Sequence, residues 1–300
     1  MAIILITGGT GLVGKALSQE LLVAGHEVRI LSRHPQSDSA IKQFYWNVDE
    51  KEIDENAFEN IEHLVHLAGE GVADKRWAPE RKAKIISSRV DSFKLVASVI
   101  IKKNIHLKSL IGASAIGFYG MQTTPAIFNE TDLSYSDFLS EVCVKWENVY
   151  HSLLNHTNKL VVFRIGLVLA KNGGALKKML PLFKLGLGSA FGDGKQYMPW
   201  IHLDDLVNTM GEALFNDQYN DTYNLVASEH VTNKEFSQQL AHACHKPLFM
   251  PSTPAFILKL VLGDMATILL TGSRVSNQKL RDTGYVFKYP TLDEALKACV

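Results

Sequence analysis

The 300-residue sequence has three cysteines, and their spacing argues against the sites that several cysteines form together. Cys143, Cys244 and Cys299 are far apart and odd in number, and the sequence contains neither a Cys-x-x-Cys pair nor a cluster of cysteine and histidine. This usage argues against a disulfide framework and a zinc site, so we expect no metal. It is typical of a reducing compartment, and we expect a cytoplasmic protein.

The chain also lacks an excess of charge of either sign. Lysine and arginine total 31 residues, as do aspartate and glutamate, so the formal net charge is zero. A neutral chain has no general electrostatic attraction for nucleic acid or for an anionic membrane, and we expect neither as a partner. Any recognition by charge must therefore be local.

Long apolar runs are absent as well. Residues 1–6 lack the basic residues that begin a signal peptide, and glycines follow almost at once, so this segment predicts a buried strand. The apolar stretch at residues 256–270 is interrupted by Lys259 and Asp264. It falls short of the roughly 20 apolar residues that span a bilayer, and we expect no membrane-spanning segment.

Short apolar runs alternate with segments of helical periodicity through much of the chain. Residues 2–7 form a continuous apolar run, typical of a parallel strand covered on both faces, and residues 12–24 carry an apolar stripe at helical spacing. Further strands are predicted at residues 27–31, 63–67, 109–114, 160–165 and 222–226, and long helices at residues 79–103 and 136–154. This alternation predicts an α/β fold with a doubly wound parallel sheet of the Rossmann type.

The pattern changes after about residue 173. Glycine-rich and proline-rich segments at residues 186–194 and 247–254 separate short helices. We therefore predict a nucleotide-binding domain over residues 1–170 and a smaller C-terminal lobe over residues 171–300, with later strands also joining the sheet.

Glycines crowd the junction of the first strand and helix, which reads Thr7-Gly8-Gly9-Thr10-Gly11-Leu12-Val13-Gly14. Such a turn lets the backbone approach a pyrophosphate, and the helix N-terminus offers free N–H groups and the positive end of its dipole. A merely tight turn is the alternative. The strand before it, the helix after it and the second strand beyond favour dinucleotide binding. We predict contacts from Gly8, Thr10, Gly11, Leu12, Val13 and Gly14.

The end of the second strand bears on the choice between NAD and NADP. An NAD site places an acid about 20 residues past the glycines, where it binds the ribose 2′-hydroxyl. Here that place holds Ser32, Arg33 and His34, and the first carboxylate is Asp38. A hydroxyl and a guanidinium suit a 2′-phosphate, so we favour NADP(H) over NAD. The alternative is an arginine that faces solvent on a loop.

Several motifs together resemble the extended short-chain dehydrogenases. Within them the chain is most similar to the epimerase family protein subgroup, whose members resemble nucleotide-diphosphate-sugar epimerases. The resemblance covers nearly the whole chain. It rests on the glycine turn, His66-Leu67-Ala68-Gly69-Glu70, Ala73-Asp74-Lys75-Arg76-Trp77, Ile86-Ser87-Ser88-Arg89, Gly117-Phe118-Tyr119-Gly120, Val142-Cys143-Val144-Lys145-Trp146-Glu147, Met198-Pro199-Trp200-Ile201-His202, Gly272-Ser273-Arg274-Val275 and Tyr289-Pro290-Thr291-Leu292.

The resemblance implies further cofactor contacts. Ser32 and Arg33 would hold the phosphate of the adenosine, Leu67, Ala68 and Gly69 would line the path of the adenine and ribose, and Arg89 would be an additional contact. Without the resemblance, Arg89 would read as a basic residue on a solvated helix. For most of the neighbouring basic residues we retain that interpretation; they are Lys75, Arg76, Arg81, Lys82 and Lys84.

The chain departs from the family at the residues that carry hydride chemistry. The family uses a Tyr-x-x-x-Lys pair and a nearby serine, in which the lysine lowers the tyrosine pKa and the serine polarises the substrate oxygen. With Glu147 as the reference, Leu139 stands at the tyrosine position and Cys143 at the lysine position. Counting back from Tyr119 puts Ala115 at the serine position, with Ser114 one residue early. Lys145 lies about 200° around the helix from position 143 and faces away.

Other side chains near this site could carry chemistry. We take Tyr119 and Ser114 as the catalytic candidates, and Glu70, Cys143 and His202 as weaker ones. Each has a structural alternative: Cys143 as a small buried residue, for instance, and His202 as a partner of the helix that begins at Asp204 or Asp205.

Two functions follow. The first is an NADP(H)-dependent oxidoreductase or epimerase-like enzyme, with a small substrate, nucleotide-linked or not, in a cleft beyond the carboxyl ends of the strands. The second is an NADP(H)-binding sensor or regulatory protein without turnover, which the missing Tyr/Lys pair favours. The fold alone selects neither.

Overall fold

Twelve strands are found in a computed structural model that describes residues 1–37 and 39–300. Asp38, the first carboxylate after the second strand, lies outside the described residues. The strands are β1 (Ile3–Thr7), β2 (Glu27–Ser32), β3 (Lys42–Asn47), β4 (Glu52–Ile53), β5 (His63–His66), β6 (Ser109–Ala115), β7 (Ile127–Phe128), β8 (Leu160–Ile165), β9 (Leu167–Ala170), β10 (Trp200–His202), β11 (Thr222–Leu225) and β12 (Arg274–Val275).

Eight of these strands form one sheet in the order β11-β8-β6-β5-β1-β2-β3-β4. All of them are parallel except β4, which pairs antiparallel with β3 at one edge. The remaining strands form two short parallel pairs, β9 with β10 and β7 with β12. The predicted α/β fold with a doubly wound parallel sheet is confirmed.

Ten α-helices accompany the strands of the described chain. They are α1 (Leu12–Val23), α2 (Pro79–Lys102), α3 (Phe138–Tyr150), α4 (Gly174–Lys184), α5 (Leu203–Phe215), α6 (Asn233–Ala243), α7 (Ala255–Leu262), α8 (Thr267–Leu270), α9 (Gln278–Arg281) and α10 (Leu292–Cys299). Short 3-10 helices lie at Glu55–Phe58, Ile116–Tyr119, His151–His156 and Gly263–Ala266. None of the helices in residues 1–37 and 39–300 combines the length and apolar character needed to cross a membrane.

The sheet is buried on both faces because its central strands alternate apolar side chains between two helical layers. Ile4 and Ile6 of β1 pack with α1 and α5, whereas Leu5 between them packs with α2 and α3 on the other face. The carboxyl ends of β1, β2, β5, β6 and β8 therefore meet along one edge, where the turns before α1, α2 and α3 begin.

The C-terminal part of the chain has its own apolar cluster. Helices α4, α6 and α10 pack around Leu180, Phe236 and Leu296. The buried Asp205 at the start of α5, a helix that packs on the main sheet, ties the C-terminal segment to that sheet, because its carboxylate accepts hydrogen bonds from the backbone of Lys288 (2.6 Å) and Tyr289 (3.0 Å). Since β11 lies after residue 170 yet joins the main sheet, the domain division at that residue stays a prediction.

The structure adds six strands that the sequence interpretation missed. Four of them, β7, β9, β10 and β12, form the two short pairs, and the other two are β3 and β4. These last two lie at the edge of the sheet, where only Trp46 of β3 is buried, so β3 carries no continuous apolar run. The predicted helix over residues 136–154 is also shorter, because α3 gives way at His151 to a 3-10 helix.

Candidate functional site

The turn between β1 and α1 has the backbone geometry of an anion site. Gly8 has a φ of +69°, a conformation that favours glycine, and its carbonyl accepts a hydrogen bond from the Gly11 amide at 3.0 Å. Gly11 is the N-cap of α1, and no side chain caps this helix. The N–H groups of its first turn are therefore available to a ligand, with the helix dipole behind them.

The glycines of this turn have different roles. A Cβ on Gly14 would lie 2.3 Å from the Gly8 carbonyl oxygen, and one on Gly9 would lie 2.5 Å from the Ile30 side chain, so both positions are closed by packing. A Cβ on the exposed Gly11 would meet only the Gly8 oxygen, at 3.2 Å. Gly11 thus borders open space, and its missing side chain leaves room for a ligand rather than for protein.

A cavity of about 970 Å³ opens from this turn along the carboxyl ends of β1, β2 and β5. Its volume is at the upper end of the range for small-molecule and cofactor sites. Eight of the twelve predicted cofactor residues line it: Gly8, Thr10, Gly11, Ser32, Arg33, Leu67, Ala68 and Gly69. Leu12, Val13, Gly14 and Arg89 are not in the lining.

The far end of the cavity, past β2, is rich in positive charge. Arg33 is exposed there, and the Ser32 hydroxyl accepts a hydrogen bond from the His34 amide at 3.2 Å. Lys84 of α2 reaches Asp49 in the loop between β3 and β4 at 2.7 and 2.8 Å. The hydrogen bond from Lys84 lowers the pKa of Asp49, and the charge of Arg33 contributes to the same shift.

One wall of the cavity comes from α2, and the sequence interpretation missed it. Lys84, which we expected with its neighbours on a solvated face, lines the cavity instead. Ser87, Ser88 and Asp91 follow it, and Leu95 and Ser98 extend the same wall. Their spacing of three and four residues is the periodicity of one helical face, and this pattern could have predicted the wall.

Buried hydrogen bonds hold β5 in register beside the glycine turn. The Thr7 hydroxyl lies 2.8 Å from His66 Nδ1, and it accepts a hydrogen bond from the Ala68 amide at 3.3 Å. The other ring nitrogen of His66 lies 3.3 Å from the Ser92 hydroxyl of α2. Burial lowers the pKa of His66 to about 3, so the ring is neutral and structural at physiological pH.

Arg89 is a buried guanidinium behind the cavity. It packs against the backbone of Gly69 and over the ring of Trp146, 4.7 Å from its centroid. Its Nη1 donates to the Ile85 carbonyl at 2.9 Å, whereas its Nε has no hydrogen-bond partner and no carboxylate of the described chain forms an ion pair with it. Burial lowers the pKa of Arg89. A buried cation without a counter-charge is costly unless an anion approaches it.

The segment that leaves β5 crosses toward α2. Glu70 forms an ion pair with Arg81 at 2.9 Å, and Arg81 also donates to the Gly71 carbonyl at 2.6 Å. Hydrogen bonding to Arg81 lowers the pKa of Glu70, which is therefore ionised at neutral pH. Glu70 has a structural partner in this arrangement, as well as a place in the cavity lining.

At the carboxyl ends of β6 and β8 the polar side chains form hydrogen bonds with one another. Ser114 donates to the Glu147 carboxylate at 2.6 Å, and Arg164 forms two further bonds with that carboxylate, both 2.9 Å long. Arg164 also donates to the Tyr119 hydroxyl at 3.0 Å, and Tyr119 donates to Asn224 at 2.6 Å. These five side chains form one network, which we call the Arg164 network.

The two catalytic candidates, Tyr119 and Ser114, are both in this network. The Tyr119 side chain is fully buried, and burial raises its pKa to about 12. A proton transfer by Tyr119 would require Asn224 and Arg164 to release its hydroxyl. The catalytic role of both residues stays a prediction, and these contacts give each of them a structural role.

The other residues considered near this end also make contacts that give them a structural role. Cys143 is buried, its thiol points to the Ala115 carbonyl, and burial raises its pKa to about 12. Lys145 is exposed and pairs with Glu141 at 2.6 Å, as expected from its position on the helix. His202 is the N-cap of α5 and accepts a hydrogen bond from the Asp204 amide at 3.1 Å.

Comparison with protein families gives two matches along the chain. Residues 4–225 match the NAD dependent epimerase/dehydratase family, and residues 253–299 match a domain of unknown function, DUF1731. The chain is 36% identical over 299 residues to the chloroplastic epimerase family protein SDR39U1 homolog of Arabidopsis thaliana, covering 98% of this chain and 85% of the relative. It is 33% identical to the epimerase family protein SDR39U1 of Mus musculus, covering 99% of both.

Solved structures agree with these matches. The human epimerase family protein SDR39U1, crystallised with NADPH, superposes with a TM-score of 0.89 at 32% identity and covers 99% of this chain and 98% of its own. The UDP-glucose 4-epimerase of Thermus thermophilus, in complex with NAD, gives a TM-score of 0.77 at 20% identity, with 99% of this chain and 97% of its own covered. The second likeness shows the fold alone.

Proposed function

Since the chain belongs to the NAD-dependent epimerase/dehydratase family, we propose that it binds NADP(H) in the cavity between the glycine turn and Arg33. We further propose that it acts as an oxidoreductase or epimerase-like enzyme on a small substrate, nucleotide-linked or not. NADP(H), when bound, supplies or accepts a hydride.

The single observation that carries the proposal is the charge and shape of this cavity from end to end. One end offers the uncapped N-terminus of α1 and the open space above Gly11, which suit a pyrophosphate. The other end offers Ser32 and the exposed Arg33, which suit a second phosphate group, with Lys84 beside them in an ion pair with Asp49. No carboxylate stands among Ser32, Arg33 and His34, where an NAD site would hold a ribose hydroxyl.

The buried side chains behind the cavity support the same ligand. Arg89 carries a positive charge next to Gly69 without a carboxylate partner in the described residues, so a nearby anionic ligand would offset its burial. Thr7, His66 and Ser92 would keep Ala68 and Gly69 in place along the path of the ligand. The relative crystallised with NADPH has the same fold across its length.

For the reaction we propose that the substrate lies beyond the ends of β6 and β8, above the Arg164 network. The proton would then come either from Tyr119, after Asn224 and Arg164 release it, or from a group of the substrate. Ser114 would act only if it exchanged Glu147 for the substrate oxygen. Cys143 would take no part, because a thiol with a pKa of about 12 is neutral.

A second function is supported by the closed network itself. The hydroxyls of Tyr119 and Ser114 already have buried partners, and no lysine stands at position 143. An NADP(H)-binding sensor or regulatory protein needs the cavity but not an open catalytic group. Two assays separate the two functions: NADPH oxidation with carbonyl substrates, and product analysis with nucleotide sugars, because an epimerase returns the hydride and leaves the cofactor unchanged. Turnover in either assay supports the enzyme, and tight NADPH binding without turnover in both supports the sensor.

The experiment that tests cofactor binding compares NADPH with NADH by calorimetry, in the wild type and in Arg33→Ala. We expect the wild type to prefer NADPH and the variant to lose about tenfold in that preference, or about 1.4 kcal/mol, because the guanidinium pairs with the 2′-phosphate. Arg281→Ala, in α9 and outside the cavity, is the matched control. Equal affinity of the wild type for both cofactors would contradict the assignment.

We also propose a reducing, cytoplasmic compartment. All three cysteines are unpaired and buried in the structure, as expected for a protein that relies on no disulfide. Purification without reductant followed by intact mass analysis tests this: three free thiols after denaturation support the proposal, and a disulfide would contradict it.

A further inference from the structure

Nine of the 19 large apolar side chains that are exposed in the described residues fall in two segments, residues 171–192 and 242–263. The segments contain α4 and α7. The nine side chains are Leu182, Leu185, Leu187, Phe249, Met250, Phe256, Ile257, Leu260 and Val261. Four of them are more than two-thirds exposed: Leu185 (72%), Phe249 (68%), Phe256 (70%) and Leu260 (76%).

The two segments lie side by side and form one surface. The Thr253 amide donates to the Ala190 carbonyl at 2.8 Å, and the Gly192 amide donates to the Thr253 carbonyl at 2.9 Å. A Cβ on Gly186 would lie 3.9 Å from the ring of Phe249. We call this surface the α4–α7 face.

Helix α7 presents its apolar residues outward. At 100° per residue, Phe256, Leu260, Ile257 and Val261 cover an arc of about 140°, and all four are exposed. Leu258, on the opposite side, is buried, and Lys259 lies at the edge of the exposed arc. Helix α7 thus offers an exposed apolar arc with a cation at its edge, and further charge must come from the neighbouring segment.

The charge of the α4–α7 face is mainly positive, with one exposed aspartate, Asp193 or Asp264, directly after each segment. Its two segments contain six lysines and no aspartate, glutamate or arginine. The rest of the chain thus holds only 25 of the 31 basic residues but all 31 acidic ones. All six lysines are exposed, and within the described residues only Lys178 has an ion-pair partner, Asp74 at 3.5 Å. They are Lys171, Lys177, Lys178, Lys184, Lys246 and Lys259.

We propose that the α4–α7 face docks on an anionic lipid surface, with the apolar side chains of α7 in the interface and the lysines against the headgroups. The charge selects this occupant, because attraction to anionic lipid adds to the burial of apolar side chains. A symmetric contact between two copies would bring the same lysines together and would be opposed by repulsion. Because the whole chain has no net charge, we expected no membrane partner. That balance does not report the local excess of lysines on this face.

The test is co-sedimentation of the full chain with vesicles of phosphatidylglycerol and phosphatidylcholine in equal parts, and with vesicles of phosphatidylcholine alone. We expect binding to the anionic vesicles, weakened about tenfold by removing the anionic lipid or by adding 1 M salt, which screens charge. This comparison uses the wild type and needs no variant. No binding, or equal binding to both kinds of vesicle, would overturn the proposal.

Two variants locate the surface. Phe256→Asp combined with Leu260→Asp removes apolar side chains from the exposed arc, and we expect at least about a tenfold loss of vesicle binding. Leu133→Asp, at a position that is 89% exposed outside the two segments, is the control and should bind as the wild type does. The same loss in both variants would contradict the assignment to this face. Dimerisation of the wild type in sedimentation velocity, abolished by the double variant, would assign the face to a second copy and overturn the proposal.

Discussion

The two halves of one sheet edge differ in whether their polar groups are free for a ligand. At the ends of β1, β2 and β5, the N-terminus of α1 is uncapped, Arg33 is exposed and Arg89 is buried without a carboxylate partner in the described chain. At the ends of β6 and β8, Ser114, Tyr119 and Arg164 are paired with other side chains. The first half is an open cavity and the second is a closed network.

This difference separates binding from chemistry. Unsatisfied donors around a cavity favour an anionic ligand, since the ligand replaces the water that now solvates them. Donors and acceptors that already satisfy each other stabilise the fold, and they must be separated before they can act on a substrate. The open half therefore supports a cofactor site strongly, whereas the closed half supports catalysis only through a rearrangement.

Disrupting the Arg164 network should have the largest effect of these variants, and it should act on the stability of the protein. Arg164→Met leaves the nearly buried Glu147 carboxylate without its ion-pair partner. We expect the free energy of unfolding to fall by about 3–5 kcal/mol, with the affinity for NADPH unchanged. Urea unfolding and calorimetry measure the two quantities.

The control for this variant is on the same helix as Glu147. Lys145→Met removes an exposed ion pair with Glu141 and should change the free energy of unfolding by less than about 0.5 kcal/mol. If Arg164→Met were equally mild, the network would not be the structural element that its burial indicates.

Filling the open cavity with a side chain should lower the affinity for NADPH instead. Gly11→Val places a side chain in the space above the turn, and the φ of −78° at this position suits any residue. We expect NADPH affinity to fall about a hundredfold or more, on the order of 3 kcal/mol, with little change in melting temperature.

The neighbouring glycine serves as the contrast. Gly14→Ala forces a Cβ to within 2.3 Å of the Gly8 carbonyl oxygen and should lower stability as well as binding. Wild-type NADPH affinity in a folded Gly11→Val protein would show that the ligand does not pass over this turn.

The smallest effects are expected from substitutions in or beside the Arg164 network that keep the shape of the side chain. Tyr119→Phe removes one hydroxyl from the network and should cost about 1–2 kcal/mol of stability, with NADPH affinity unchanged. Thermal unfolding and calorimetry measure both. Cys143→Ser, beside the network, is the control and should leave affinity and any turnover within a few-fold of wild type.

The same pair of variants sharpens the assignment of the proton donor once a substrate is found. A loss of turnover of about a hundredfold or more in Tyr119→Phe would assign proton transfer to Tyr119. Unchanged turnover would exclude Tyr119 and leave Ser114 or a group of the substrate as the donor. Loss in Cys143→Ser with normal Tyr119→Phe would mean that the chemistry lies on the other wall of the site.

Much of the open half could be predicted from the sequence because its signals are local. The turn at Gly8–Gly14 joins a strand to the helix that follows it, and Ser32 and Arg33 end the next strand. The wall supplied by α2 was missed, because Lys84 was read as one of several solvated cations. Strand β3 was missed because an edge strand with one buried residue has no apolar run.

By itself the sequence determined the six apolar parallel strands of the sheet, the glycine turn and the absence of the usual Tyr/Lys pair, since these depend on residue identity and on spacing over a few positions. Only the tertiary structure decided which polar groups are free. Tyr119 meets Asn224 across 105 positions of the chain, and the lysines of the α4–α7 face come from segments 50 residues apart. The reason is physical: periodicity reports burial and backbone conformation, but whether a hydrogen bond or a charge has a partner depends on which distant residues the fold brings within a few ångströms.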